Sequence, residues 1–256
     1  VDAIEVSYGG TARFSPGGGI RFKKAIEGGK IRFEDYTNFQ MTLRFLAGAM
    51  GLPFMPIRSL LGTDVVKKWG FDEAFRKSNP RIPEKKMAVV ENPFARDGTD
   101  EKVVLVPAIN PDVTLIHAQQ ADRQGTVRIK GLTYTDAEQA KAAKYLIVSC
   151  EEVVETETIR ENPDQNQIPF FMVDAIVVVP YGAHPTACYG YYDYDPYHLN
   201  LYREMAPDDR TFRQYLDEYV LGVKSHDNYL EKIGKHRLSE IKADLKLGYR
   251  AGLGRR

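Results

Sequence analysis

Apolar residues fall in short blocks divided by glycine, proline and charge, and the blocks follow two periodicities. Residues 113–116, VTLI, are a compact β-branched run that predicts a buried strand rather than a helix. His117, Gln119, Gln120 and Asp122 then lead into a turn closed by Gly125. Residues 126–129 alternate and predict a second short strand. Further strands are predicted over 30–33, over 103–109 with Pro107 inside, over 145–149, and over the long run 170–180, FFMVDAIVVVP. Helical spacing predicts helices over Ile20–Glu27, over 39–50 behind Thr37 or Asn38 as N-cap, and over 207–222 and 225–238. Another is predicted over 135–144, where Thr135 and Glu138 are spaced for a capping box. Residues 71–83 are charged and proline-punctuated and read as a surface excursion, with Trp69 before them as a packing anchor. Strands alternating with helices predict an α/β fold with an open, largely parallel sheet and flanking helices. The chain reads as one domain over 1–256, with a C-terminal helical segment, 207–245, packed on it.

Ligands in open α/β sheets gather beyond the C-terminal ends of the strands. Two predicted strands deliver polar groups there. One ends in His117 and Gln119; the other ends in a turn carrying Gly182, His184 and Tyr189. If the first strand continues, His117 and Gln119 share one face and Ala118 and Gln120 the other. Gln119 then either meets substrate or braces the loop from Asp122 to Gly125. Adjacent Glu151 and Glu152 point to opposite faces of a strand, so they read as a solvated edge, or as one salt-bridged core carboxylate, rather than an acid/base pair. The glycine run Gly17, Gly18, Gly19 before the first helix is either a plain loop or a cradle for a phosphate, though its spacing matches neither a dinucleotide fingerprint nor a P-loop. The tyrosine-rich run 191–202 either stacks a base or seals an interface with another chain. His226 and His236 lack the spacing of a helical metal pair, and no metal site is predicted.

Charge narrows the partners. The 256 residues carry 35 basic and 35 acidic side chains, which argues against a broad nucleic-acid footprint. No apolar run approaches the length of a membrane span. The two cysteines, Cys150 and Cys188, have no framework spacing and read as small buried hydrophobes in a reducing cytoplasm.

Two stretches carry a family resemblance. IHAQQADRQGTVRI (116–129) and VDAIVVVPYGAHPTACYGYYDYD (173–195) resemble the α subunit of family I coenzyme A transferases of the glutaconate type. The resemblance implies the open α/β fold shared by CoA transferases and ribose-phosphate-isomerase-like proteins. It implies transfer of CoA between carboxylic acids through a glutamyl-CoA thioester, with the nucleophilic glutamate brought by a β subunit in a Ser-Glu-Asn-Gly setting. No catalytic residue is then expected in this chain. Glu91 in VENPF echoes that setting, but Pro93 cannot adopt the positive φ that the glycine supplies. Substrate-binding roles are expected for His117, Gln119, Gly182, His184 and Tyr189. A CoA thioester is expected as substrate, with no permanently bound cofactor, in a heterotetramer or heterooctamer with the β subunit. The family's α subunits begin with a strand, a GGF-type loop and a helix, which are expected to precede Val1. One alternative is the α subunit of a related hydrolase that opens a CoA-linked cyclic diketone in steroid-ring degradation, which also carries Gly-Ala-His after the same strand. A non-enzymatic ligand sensor is a further alternative, but no helix-turn-helix signal supports it. The tyrosine-rich insert and IHAQQ lean toward the transferase.

Overall fold

The computed structural model of the chain describes residues 1–9, 19–99 and 101–252, so Gly17 and Gly18 lie outside the described residues. Its contacts divide the chain into two units.

The first unit comprises Val1–Gly9, Phe22–Asp112 and Tyr134–Lys144. Strands β1 (Ala3–Val6) and β2 (Arg32–Asp35) pair in parallel, while β3 (Phe54–Ile57), β4 (Ala88–Glu91) and β5 (Lys102–Pro107) form an antiparallel sheet in the order β3-β5-β4. Helix Asn38–Ala49 starts where the sequence places it. The Thr37 hydroxyl accepts from the Gln40 N–H at 3.2 Å, and the Gln40 side chain accepts from the Thr37 N–H at 2.9 Å. Its inner residues Met41 and Phe45 pack with Tyr36, Ile57, Val104 and Val106.

One expectation fails in this unit and another holds only in part. Thr135 does not cap helix Asp136–Ala142. Its φ of −121° and ψ of 7° lie outside the extended geometry of a capping residue, and its hydroxyl accepts from the Gln139 side chain instead. Residues 71–83 are exposed along much of their length, as a surface excursion would be, but two of them are buried. Asp72 caps a short helix, Glu73–Ser78, and Phe71 and Arg76 are buried. The burial has an electrostatic reason. The Glu34 carboxylate accepts from the Gly70 N–H at 2.9 Å, from the Phe71 N–H at 3.2 Å and from the Arg76 guanidinium, so the charge of Arg76 is neutralised inside the unit. Trp69, itself exposed, lies with its ring 5.2 Å from the same guanidinium.

The second unit takes in Val113–Thr133 and the chain from Tyr145 onward, with Arg21 at its edge. Strands β6 (Val113–Asp122), β7 (Val127–Arg128), β8 (Tyr145–Val154), β9 (Asn166–Ile168) and β10 (Ala175–Val178) form a sheet in the order β10-β8-β6-β7-β9. The long strands β8 and β6 and their neighbour β10 are parallel; β7 and β9 add an antiparallel margin. β6 runs past the predicted 113–116 to Asp122, because β8 pairs with it as far as Asp122↔Val154 and carries the polar residues along. The long strand predicted over 170–180 shrinks to four residues. Pro169 opens a turn at Phe170–Met172, and Asp174 is tied to Leu146 through its N–H at 2.9 Å and its carboxylate at 2.7 Å.

Helix Pro196–Met205, capped by Asp195, occupies part of the tyrosine-rich run. Of the two predicted C-terminal helices, the first is Asp209–Leu216 followed by a wider turn, and the second is split by Gly234 (φ 91°) into His226–Ile233 and Lys235–Glu240. Cys188, Tyr192, Ile233, Leu238 and Ile241 form the core between them. No helix among the described residues is long and apolar enough to cross a membrane.

Candidate functional site

The parallel register of β6 and β8 sets His117 beside Ser149 and Gln120 beside Glu152. His117 Nδ1 lies 2.8 Å from Ser149 Oγ, and Nε2 lies 2.7 Å from Glu151 Oε1. The same carboxylate oxygen accepts from the Tyr192 hydroxyl at 2.6 Å, and the other accepts from the Tyr181 N–H at 2.7 Å. A carboxylate only accepts, so Nε2 carries a hydrogen. Burial, then the bond to Glu151, push the Tyr192 phenol up, so it stays a donor. Cys188 completes a group with His117 and Glu151 whose ligand atoms lie within 4.8 Å of one another. Burial and the charge of Glu151 push its thiol up to about 12.

Gly182 belongs to this arrangement. A Cβ there would stand 2.6 Å from His117 Cε1, 2.9 Å from Nδ1 and 2.8 Å from the Val179 carbonyl oxygen. The turn after β10 therefore closes on the imidazole only because residue 182 has no side chain.

Gln119 is buried and spent on the backbone. Its amide donates to the carbonyls of Lys130 at 3.0 Å and Tyr189 at 3.3 Å, and its oxygen accepts from the Lys130 N–H at 3.0 Å. It braces those two segments rather than the loop from Asp122 to Gly125. That loop is closed by Asp122 itself, whose carboxylate accepts from the N–H groups of Gln124, Gly125 and Thr126.

His184 sits in a separate buried cluster. Nε2 is 3.1 Å from Asp195 Oδ2 and Nδ1 is 2.6 Å from the Tyr229 hydroxyl. Burial opposes the charge of Asp195, but the bond to His184, the N–H of His198 and the nearby Arg237 outweigh it and hold the carboxyl below its ordinary range. Replacing His184 with Ala is expected to lower stability by about 1–3 kcal/mol, the effect of stripping a partner from a buried acceptor. The folded enzyme's turnover should stay within a few-fold, measured as melting temperature and rate on the same sample.

His198, in the same cluster, is fully buried, and burial depresses its pKa from 6.5 to about 4. The unfolded chain therefore takes up this proton first on acidification. Stability should be whole above pH 6.5 and should fall by roughly 3 kcal/mol as the pH drops toward 4. Melting temperature against pH checks this, and His198→Gln should flatten that limb.

A family model described as coenzyme A transferase matches residues 1–179. The chain belongs to the coenzyme A transferase family. Within that family it is 43% identical over 229 residues to the A-subunit of glutaconate CoA-transferase from Acidaminococcus fermentans, covering 90% of this chain and 71% of that one. It also superposes on the crystal structure of glutaconate coenzyme A-transferase from Acidaminococcus fermentans with a TM-score of 0.91 and 41% identity, over 97% of this chain and 77% of that one. Similarity to a cholesterol ring-cleaving hydrolase IpdA subunit of Rhodococcus jostii is lower, at 33% identity over 84% of this chain and 68% of that one. The transferase chains are the nearer of the two kinds.

Of the site residues expected from this CoA transferase's sequence, His117 and Gly182 touch, Gln119 and Tyr189 are joined by a hydrogen bond, and His184 stands apart. Sequence reasoning misses Ser149, Glu151 and Tyr192 as partners of His117. Ser149 and Glu151 carry a signal in retrospect, since they sit two apart on one strand, as His117 and Gln119 do.

Proposed function

We propose that this chain is the α subunit of a heteromeric acyl-CoA:carboxylate CoA-transferase whose β subunit supplies the nucleophilic carboxylate. The observation that carries this reading is the state of Glu151. It is the carboxylate beside His117, and His117, Tyr192 and the Tyr181 N–H already occupy both its oxygens. Covalent exchange needs an exposed, free nucleophile, and this carboxylate serves instead to aim the imidazole. His117 and Ser149 then line the acyl pocket as polar groups, and Gly182 lets the turn close over them. Gln119 and Tyr189 hold the wall behind. The substrates are an acyl-CoA thioester and a carboxylic acid, with no permanently bound cofactor, in a heterotetramer or heterooctamer of the cytoplasm. The hydrolase reading stands second on the lower identity to the ring-cleaving protein.

The test is an assay of this chain, alone and assembled with its β subunit, for CoA transfer from acetyl-CoA to a panel of dicarboxylates. Transfer is expected from the assembly alone. Robust turnover by the verified single chain, or hydrolysis without transfer by the assembly, would overturn the reading.

A further inference from the structure

The cluster around His117 holds ligand chemistry that acyl transfer does not use. A His117 nitrogen, a Glu151 carboxylate oxygen and Cys188 Sγ all lie within 4.8 Å of one another. Glu151 and Cys188 are buried, and 17% of the His117 side chain stays open. Nitrogen, oxygen and sulfur in one group match a borderline-soft divalent ion, zinc above all, rather than magnesium or calcium, which take oxygen. Zinc holds nitrogen and oxygen at about 2.0–2.2 Å and sulfur at about 2.3 Å, so its tetrahedral ligands stand roughly 3.3–3.8 Å apart. His117 Nε2 and Glu151 Oε1 are 2.7 Å apart, and no pair in the group exceeds 4.8 Å. Shifts of about 1 Å or less therefore bring the three into one shell.

The three ligands come from separate segments of the second unit, and each is held. His117 and Glu151 stand on the paired strands β6 and β8. Cys188 is tied to Tyr192 by two backbone bonds, N–H to carbonyl in both directions at 3.0 Å. Metal-bound imidazoles and carboxylates depend on outer partners that orient them, and both sets are present. With a metal on Nε2 the ring's hydrogen sits on Nδ1, where Ser149 Oγ at 2.8 Å accepts it. The serine's own hydrogen then goes to the Ile116 carbonyl, 3.4 Å away. Glu151 accepts from the Tyr181 N–H on one oxygen and from the Tyr192 hydroxyl on the other. The Tyr192 oxygen in turn accepts from the Ala183 N–H at 2.9 Å. One carboxylate and one thiolate together offset the charge of a divalent ion. Three protein ligands leave a fourth tetrahedral position for water.

We propose that His117, Glu151 and Cys188 form an inhibitory zinc site, with His117 Nε2, a Glu151 oxygen and the Cys188 thiolate as ligands. The ion displaces the protons on Sγ and Nε2 to solvent, the ring keeps or takes up one on Nδ1, and no electron moves. The bound ion parts Nε2 from Glu151 and pins the ring's hydrogen toward Ser149, which takes the imidazole out of use in the acyl pocket. The inhibition rests on the transferase reading; the binding of the metal does not.

The test titrates the enzyme assembled with its β subunit with cobalt(II), which occupies zinc sites and reports its ligands by absorption. Wild type should show a sulfur-to-cobalt charge-transfer band together with the intense visible bands of a tetrahedral ion, and added zinc should bleach both. Cys188→Ser should lose the charge-transfer band, and calorimetry should find its zinc affinity lower by roughly a hundredfold or more, beyond the loss from an outer partner. His117→Gln removes the nitrogen without touching the buried turn and should cost about as much affinity, so it decides the matter if the cysteine variant does not fold. No charge-transfer band in wild type, or one that both variants keep, would overturn the site. Zinc should also suppress CoA transfer by the wild-type assembly, a chelator should restore it, and Cys188→Ser should need about tenfold more zinc or more for the same suppression. Suppression equal in the two enzymes, or absent from a wild type that binds the metal, would overturn the inhibitory role. If wild type transfers no CoA even with the chelator, the transferase reading fails by itself, and the cobalt spectra still judge the site.

Discussion

Gly182→Ala in the assembled enzyme is expected to lower turnover on the order of a hundredfold and to cost about 1–3 kcal/mol of stability. The new methyl would stand 2.6 Å from His117 Cε1 and 2.9 Å from Nδ1. The Val179 carbonyl, 2.8 Å away on the backbone, leaves the methyl no retreat, so the imidazole must move. Ser149 at 2.8 Å and Glu151 at 2.7 Å then lose their alignment with it together. A displacement of about 1 Å in a positioned group has effects of this size. Steady-state kinetics beside thermal melting separates the outcomes. Unchanged kcat and KM in a folded variant would remove His117 from the acyl pocket.

Arg76→Ala is expected to destabilise the first unit by about 3–5 kcal/mol, because it leaves Glu34 as an uncompensated buried charge. Both side chains are almost wholly inaccessible, and the guanidinium also donates to the Pro83 carbonyl at 2.9 Å and the Phe71 carbonyl at 3.3 Å. Replacing both members, as Glu34→Gln/Arg76→Met, should recover part of the loss. The two effects should therefore not add. Denaturant unfolding of the single and double variants measures this, and additive losses would show that the pair is not coupled.

What is legible in the sequence is mostly local. The Thr37 cap, the strand at residue 113 and the two polar strand ends follow from short-range patterns. The site is legible only in halves. His117 and Gly182 are each marked by their position after a buried strand, but their contact depends on how the turn after β10 folds over β6. Strand alternation rightly denies Glu151 an acid/base pairing with Glu152, since the two side chains diverge to different partners. The bond from Glu151 to His117 needs the β6–β8 register, which neither strand encodes alone. The errors share a cause. Apolar content at 170–173 looks like strand but belongs to a turn whose Phe170 and Phe171 are exposed. Charge at 71–83 looks like surface but includes a buried ion pair whose partner, Glu34, is remote in sequence. Composition reports neither pairing nor turn geometry.

The most direct test of the central claim is to find which chain carries the covalent intermediate. The assembled enzyme would be incubated with acyl-CoA, quenched, digested and mapped by mass spectrometry for a glutamyl-CoA thioester. The adduct is expected on a glutamate of the β subunit, with none on this chain. An adduct on Glu151, or on any other carboxylate of this chain, would contradict the account.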